Sequence, residues 1–588
     1  MKRFISISTL VLTAAAIGTL SLIAQQKDFN PGMFGSIPDQ KEPDLTAVVS
    51  IDETQSQTIN AAEYTSTNED ENVLLIKNKA TADFTKSTFT KKSGDSSNMD
   101  QSNFYGLNAA VICKGNAELK LKKAEIFSDA EGANAVFCTG SSSRIYIDGI
   151  KINTLKNSSR GLDATYGGYI NAENVDVTTK GAHCAAFATD RGEGTVIVKK
   201  GKASTAGDGS PIIYSTGNIQ VSSLTGSATG AQIACIEGKN SIYINDSKLS
   251  GSGPDGIMLY QSMSGDANQG TSVLNVAGST LTSDTKGPFF YITNTQAQIN
   301  ISKTKINYNS GILIQCSGNN SERGWGQRGA NGGTLRFNST NQTLTGNITV
   351  DSISSIDLHF GDKTIFTGSI NTANEGKAKL YLSANSKLTL TANCYFDSFV
   401  AGDLNFKNIK SNGYTIYYNI NNTDNNYLDN KTYMLDDGGV LKPLEMTFAN
   451  TVSYTDEKKC EAQNKGPEGQ MDFTSYTGTI TASGSDSNAK YYLVTEDGNK
   501  YELCVMDFKK PDDKNDGKEK GKNPPSGQPP AMPPDSSKEG PHGNGGPDQN
   551  HQPPKMITIE DIVSYAGKTV TVTGILKDGK LTVIEIKQ

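Results

Sequence analysis

From about residue 106 to residue 316 one pattern keeps returning: a Gly, four to six mostly apolar residues, a polar turn, a segment of alternating apolar residues, and another turn. The apolar runs are AAVIC (109–113), AVFC (135–138), CAAFA (184–188), PIIYS (211–215), AQIAC (231–235), IMLY (257–260), PFFYI (288–292) and ILIQC (312–316). Alternating segments such as SRIYIDGIKI (143–152), GTVIVKKG (194–201) and AQINISKTKI (297–306) follow them. The leading glycines, from Gly106 and Gly132 to Gly311, define eight intervals of about 26 residues each.

Period-2 alternation rich in Val, Ile, Thr and Tyr signals strands, and no segment sustains apolar spacing of three and four. A repeat of this length marks a solenoid or a related array. A turn of about 26 residues with two or three short strands fits one rung of a parallel β-helix, with rungs stacked at ~4.8 Å. One rung cannot bury its own inner face, so stability comes from its neighbours. Interval lengths run from 20 residues (Gly161 to Gly181) to 31 (Gly256 to Gly287). A propeller blade of about 40 residues would not tolerate that range. A β-sandwich array is the alternative.

If equivalent positions pile up, the leading glycines form a single file, with Gly132, Gly161, Gly181 and Gly209 over one another. The residue before each Gly would then set Glu131 beside Arg160, Lys180 beside Asp208 and Asp255 beside Lys286. Such opposite-charge neighbours contribute roughly 0.2–1 kcal/mol each. Two residues after the Gly, Asn108, Asn134, Asp163 and His183 would share a column. That column reads either as a hydrogen-bonding ladder at a turn or as a polar binding strip centred on Asp163 and His183.

Lys2 and Arg3 precede an apolar run from Phe4 to Ala24, the layout of an export signal. Residues 1–24 are read as a signal peptide or, uncleaved, as an N-terminal anchor. No later stretch approaches the ~20 apolar residues of a membrane span. The expected location is outside the cytoplasm: extracellular, on the cell surface or in the periplasm. A balance of 55 basic against 62 acidic residues excludes the positive field of a non-specific nucleic-acid binder. Two of the four His fall in a Pro-rich tract, which leaves His183 and His359 as centres for histidine chemistry. Eight Cys in an exported chain suggest disulfides. Yet Cys113, Cys138, Cys235 and Cys316 fall inside the apolar runs, where a buried free thiol belongs. Cys460 and Cys504 could pair with each other.

The segments RGLDATYGG (160–168), GAHCAAFATDRG (181–192), MLYQSMSGDA (258–267) and GYTIYY (413–418) resemble a group of uncharacterised exported bacterial β-helix proteins often labelled adhesins. The architecture is similar to the right-handed, pectin-lyase-like β-helix superfamily. The resemblance spans roughly residues 70–440. It implies an all-β fold: a right-handed parallel β-helix solenoid, here followed by small β modules and a disordered Pro-rich linker. The superfamily holds polysaccharide lyases and hydrolases, adhesins and structural fibres, so fold does not decide function.

Glycoside cleavage takes two carboxyl groups. The best local cluster is Arg160, Asp163, Tyr166, His183, Asp190 and Arg191, with Asp163, His183 and Arg191 as the alternative catalytic set. It lacks the Asp pair and Gly-His-Gly turn of polygalacturonase-like members: GAHC (181–184) has Ala before His, and Asp163 has no second adjacent acid. A binding role is therefore expected, with Tyr166 and Asp190 among the binding residues. Residues 317–333 (SGNNSERGWGQRGANGG) carry the only Trp, Trp325, between Arg323 and Arg328. An exposed Trp flanked by Arg suits stacking on sugar rings and pairing with uronate carboxylates. The alternative is a folded-back loop whose Trp covers the side of the helix. No cofactor or metal site is expected, with calcium at turns near Asp208 or Asp255 left open. GSGPDG (251–256) and GWGQRG (324–329) match GxGxxG without the strand-to-helix context that nucleotide binding needs.

The domains read as an N-terminal cap region (25–70), the β-helix (71–440) and a small β module (441–508). A disordered linker (509–555) with 11 of the 19 prolines and a helix–hairpin module (556–588) follow. A capping-box match, Thr558 to Asp561, opens the last piece. So short a piece rarely folds alone, so it is expected to dock on a partner or to be held out on its linker. The functional expectation is an exported, non-enzymatic adhesin or carbohydrate-binding protein whose partner is a polysaccharide or cell-surface glycan. A polysaccharide lyase or glycoside hydrolase, and a structural envelope spacer, are the alternatives.

Overall fold

The computed structural model describes residues 41–448 apart from 263 and 321–324. Towards the C-terminus it describes strands 474–483, 490–495, 500–504, 569–577 and 580–587, with 562, 565 and 568 beside them. The signal segment 1–24, Cys460, the Pro-rich tract 509–555 and Thr558–Asp561 lie outside the described residues. The chain divides into two units, Met1–Asn464 and Lys465–Gln588.

Residues 46–444 form a parallel β-solenoid of about 16 turns, roughly 75 Å of stacked rungs at ~4.8 Å each. The apolar runs build a first wall of twelve short parallel strands, among them Val136–Thr139, Leu162–Thr165, Phe187–Thr189, Ile213–Ser215 and Ala234–Glu237. The alternating segments build a second wall of longer strands, such as Glu118–Ser128, Arg144–Thr154, Tyr169–Thr179 and Thr195–Thr205. Each long strand turns a corner at its middle, where Lys123, Gly149, Asn174 and Lys200 take left-handed backbone conformations at matching positions. Inside, Val136, Leu162, Phe187, Ile213, Ala234, Ile257, Phe290 and Ile314 lie over one another and are all fully buried. Burying each larger side chain in that ladder contributes roughly 1.5–3 kcal/mol. Cys113, Cys138, Cys184, Cys235, Cys316 and Cys394 are buried free thiols.

The leading glycines do not form the single file expected. The turn position of Gly132 is filled in later rungs by Ser158, His183 and Gly209, all left-handed. Gly132 N–H donates to Asn157 O, Ser158 N–H to Ala182 O, and His183 N–H to Asp208 O. Gly161 lies against Ala186 instead, and Gly207 against Gly181. Register is set by the strands and their buried faces, so turns of unequal length carry their glycines out of step. The charge pairs expected beside those glycines dissolve for the same reason. Glu131 accepts from Asn157 Nδ2 (3.3 Å), while Arg160 reaches Asp190. Opposite charges do alternate on the second wall, where Glu125, Lys151, Asp176 and Lys202 are successive neighbours.

From residue 46 on, the region expected to be a cap is part of the solenoid. Thr46–Ile51, Ser56–Asn60 and Glu63–Ser66 form a complete turn, paired in parallel with the next. These strands have neighbours on one side among the described residues, and their mostly exposed faces explain a polar composition that masks strand patterning.

In the second unit five strands close into a barrel. Thr474–Ser483 pairs antiparallel with Lys490–Thr495 and with Thr569–Lys577, and Lys500–Cys504 pairs in parallel with Lys580–Lys587. Strands 474–504 of the module expected at 441–508 and strands 569–587 of the separate one expected at 556–588 are therefore one body, whereas 441–444 belong to the solenoid, and the partner of the C-terminal strands is this chain itself. Neither piece has a core alone: Ile480, Leu493 and Leu503 from one bury against Ile562, Val570, Val572 and Ile586 from the other. Deleting residues 556–588 should abolish hydrogen-exchange protection across 474–504. Retained protection there would mean that the first three strands fold without the last two.

Candidate functional site

The sequence cluster, His183 apart, lies on the outer face of the first wall, and it is covered. A short helix, Met99–Tyr105 (α1), is capped by the Asn98 side chain and ended by the left-handed Gly106. It lies across the strands that carry the cluster. Arg160 donates from Nη1 to Asn103 Oδ1 (2.6 Å), and Thr165 Oγ1 donates to the Phe104 carbonyl (2.9 Å). Tyr105 stacks on Tyr166 with ring centroids 5.3 Å apart. Beneath the helix, Arg160 Nη2 meets Asp190 Oδ2 at 3.0 Å. Arg160 Nε lies 3.7 Å from Asp163 Oδ2, an ion pair too long for a hydrogen bond. Arg191 packs its guanidinium over the Phe104 ring (4.0 Å) and bonds Asp266 Oδ1 at 2.8 Å, which ties down the 261–268 segment. Asp163 and Asp190 are 0% and 4% exposed.

Asp163 and His183 are not brought together. Asp163 is on a strand, beside Phe137 and Ala188. His183 is exposed and sits five residues before Ala188, in the left-handed turn file. The shared column fails because Asp163 lies within a strand while His183 belongs to the turn before one. His359 is on the second wall, with Nε2 3.2 Å from both Asp357 Oδ1 and Arg336 Nη2.

Further along the first wall, Glu237 (2% exposed) accepts from the hydroxyls of Tyr214 and Tyr260 at 2.9 Å each, and from Ser262. Trp325 is half-buried and folds back onto Tyr260, with ring centroids 5.1 Å apart. The Trp325 carbonyl accepts from Asn319 Nδ2 and Asn331 Nδ2. Trp325 thus folds back onto the wall, as the alternative reading had it. Arg328 is exposed, and Arg323 lies outside the described residues.

Below that loop the wall opens into a trough of about 200 Å³, lined by Gln315, Ser317, Thr349, Asp351, Asn371 and Glu375 among others. It lies where the wall loses a strand. The twelve-stranded sheet ends at Asn347–Val350, the next strand down is Cys394–Phe396, and the rung between them contributes one bridge, Ile348 to Ile370. Asn371 and Asn374 then take left-handed conformations and turn the chain away. Tyr291, Gln315, Thr349, Asn371, Tyr395 and Tyr417 follow one another down the outer face. No residue of this trough was singled out from the sequence. The available signal was the parity of the strands, which points Gln315 and Thr349 outward.

Asp255 is buried and accepts from Gln232 Nε2 (3.3 Å), and burial pushes its carboxyl up to about 7. Among the described residues no three His, Cys, Asp or Glu side chains converge as metal ligands. No family model, curated protein or solved structure matches the chain.

The two acids beneath α1 share one cation. Burial pushes Asp163 up to about 6 and Asp190 up to about 8, while Arg160 pulls both down. Desolvation wins because neither carboxylate can recover its lost hydration. Both groups therefore bind protons more tightly folded than unfolded. Their stabilisation is full below the ordinary carboxyl range and is lost as pH rises through about 8. Urea unfolding should show stability falling between about pH 4 and about pH 8, and Asp190→Asn should flatten that slope. A slope unchanged in the variant would assign the dependence to other groups.

Proposed function

We propose that this chain is an exported, non-enzymatic β-helix of the pectin-lyase-like kind, adhesin-like, that binds glycans at the cell surface along its first wall. The observation that carries this reading is how the wall uses its polar groups. Asp190 is spent in holding Arg160 under α1 and Asp266 in holding Arg191, while Asp163 is buried beneath them, 3.7 Å from Arg160. Cleavage needs two carboxyl groups that reach a glycosidic bond, and Asp163 and Asp190 lie under protein. The wall beyond Tyr291 instead presents half-buried tyrosines and polar side chains at one per rung. A solenoid offers such a face over many repeats, which suits a long polymer. The apolar run Phe4–Ala24 supports export. Among the described residues no helix is long and apolar enough to cross a membrane.

The test is co-sedimentation of the full chain with insoluble polysaccharides, with reducing ends and unsaturated products assayed in the same tubes. Retention without product is expected. Product that disappears in Asp163→Asn or Asp190→Asn would replace this reading with polysaccharide cleavage. Retention on none of the polysaccharides would leave a structural spacer.

A further inference from the structure

We infer that the trough between Tyr291 and Tyr395 is the glycan subsite of this wall and that it takes a neutral, hydroxyl-rich chain rather than a polyuronate. The inference rests on the glycan-binding reading above and adds to it a place and a ligand class.

The trough offers acceptors and has spent its amide donors. Gln315 Nε2 donates to Ser317 Oγ (3.0 Å), and Asn371 Nδ2 donates to the carbonyls of Gly376 (2.8 Å) and Tyr395 (3.2 Å). One oxygen of Asp351 is held by the Gly318 amide (2.8 Å) at the root of the Trp325 loop. Its other oxygen, and Oδ1 of the 1%-exposed Asn371, are buried without a hydrogen-bond partner. Unmet acceptors of this kind are costly, and both belong to residues that line the trough, so a hydroxyl donor that enters between those side chains relieves them. Asp351 and Glu375 put negative charge on the lining, and among the described residues no Lys or Arg lines the trough. A uronate carboxylate would meet like charge there, which is a device for rejecting the wrong polymer.

The ends of the trough suit sugar rings. Tyr395 stacks on Tyr417 with centroids 4.7 Å apart and planes 8° from parallel. That spacing equals the rung spacing, so the rings lie across the solenoid axis, and Tyr395 is the next residue of the outer file after Asn371, which lines the trough. Tyr291 stands four rungs above, roughly 19 Å away at ~4.8 Å per rung. The volume of about 200 Å³ falls below the ~300–1,000 Å³ of an enclosed small-molecule site. An open trough of this size holds part of a chain that lies along the wall.

The experiment measures retention of the full chain on an insoluble β-glucan, an α-glucan, a mannan and a polyuronate, with and without EDTA. Tyr395→Ala removes the platform, Tyr395→Phe keeps the ring, and Thr349→Arg fills the floor from an outward position. Retention on a neutral polymer, indifferent to EDTA, is expected. Tyr395→Ala and Thr349→Arg should each weaken it about tenfold or more, as loss of a buried aromatic anchor does, and Tyr395→Phe should not. Preference for the polyuronate, or retention unchanged in both weakening variants, would sink the trough assignment and leave glycan binding standing. Loss of retention in EDTA would hand the unmet acceptors to a cation and sink the assignment too. Failure to bind any polymer would remove the underlying reading along with it.

Discussion

Parallel stacking in register governs this molecule. Each strand of the first wall, the two end strands apart, hydrogen-bonds to the equivalent strand of the turns above and below, and the inward side chains lie over one another from Val136 to Ile314. A slip of one residue would exchange inward and outward side chains along a whole strand, so the buried ladder holds the register. Turns carry no such penalty and vary in length. The neighbours of any outward residue are therefore fixed by strand register, at distances in sequence that change from rung to rung. Leu162 and Phe187 are in register, and so are Ile257 and Phe290, at different separations along the chain.

Because turns are free, they are where the molecule adds parts, and three additions pack onto the first wall. Helix α1 and the 261–268 segment are fastened by Arg160, Asp190, Arg191 and Asp266, and the 317–333 loop by Tyr260, Asn319 and Asn331. Buried ion pairs are weak devices for raw stability, since desolvation offsets most of their attraction. Once Asp190 holds Arg160 in place, the guanidinium selects one position for α1, because a shifted helix would take Asn103 from the buried Arg160 and Phe104 from Thr165 and Arg191. Apolar contact alone would let α1 slide along the wall.

Periodicity made the solenoid legible, because alternation and the approximate 26-residue spacing are direct imprints of strands and rungs. The glycines misled because they mark turns, and turns are the part of the repeat under least constraint. Counting from strand to strand instead would have placed Lys151 beside Glu125 and Asp176, and would have separated Asp163 from His183. Helix α1 left little trace: seven residues between Asn98 and Gly106 are too few for a helical period to emerge. The barrel of the second unit was hidden for a different reason. Its strands lie on both sides of the Pro-rich tract, and nothing local in Thr569–Lys577 says that Thr474–Ser483 is its neighbour. The trough was the least visible feature, since it depends on a strand that is missing.

That missing strand explains why a recess exists on this wall at all. A regular parallel wall is a nearly flat surface, and its outward side chains stand close together at every rung. At Ile370 the ladder narrows to a single bridge, and the backbone leaves the wall through the left-handed Asn371. The side chains that would have covered Thr349 are thereby drawn aside, and the carboxylates of Asp351 and Glu375 stand around the gap. Such a break costs backbone hydrogen bonds, which Asn371 Nδ2 recovers in part by donating to Gly376 O and Tyr395 O. The same side chain thus closes the break in the ladder and keeps its own carbonyl buried and unmet beside the recess. Repairing the wall with a full strand would regain those backbone bonds and erase the concavity, so the recess and the imperfection of the sheet are one feature.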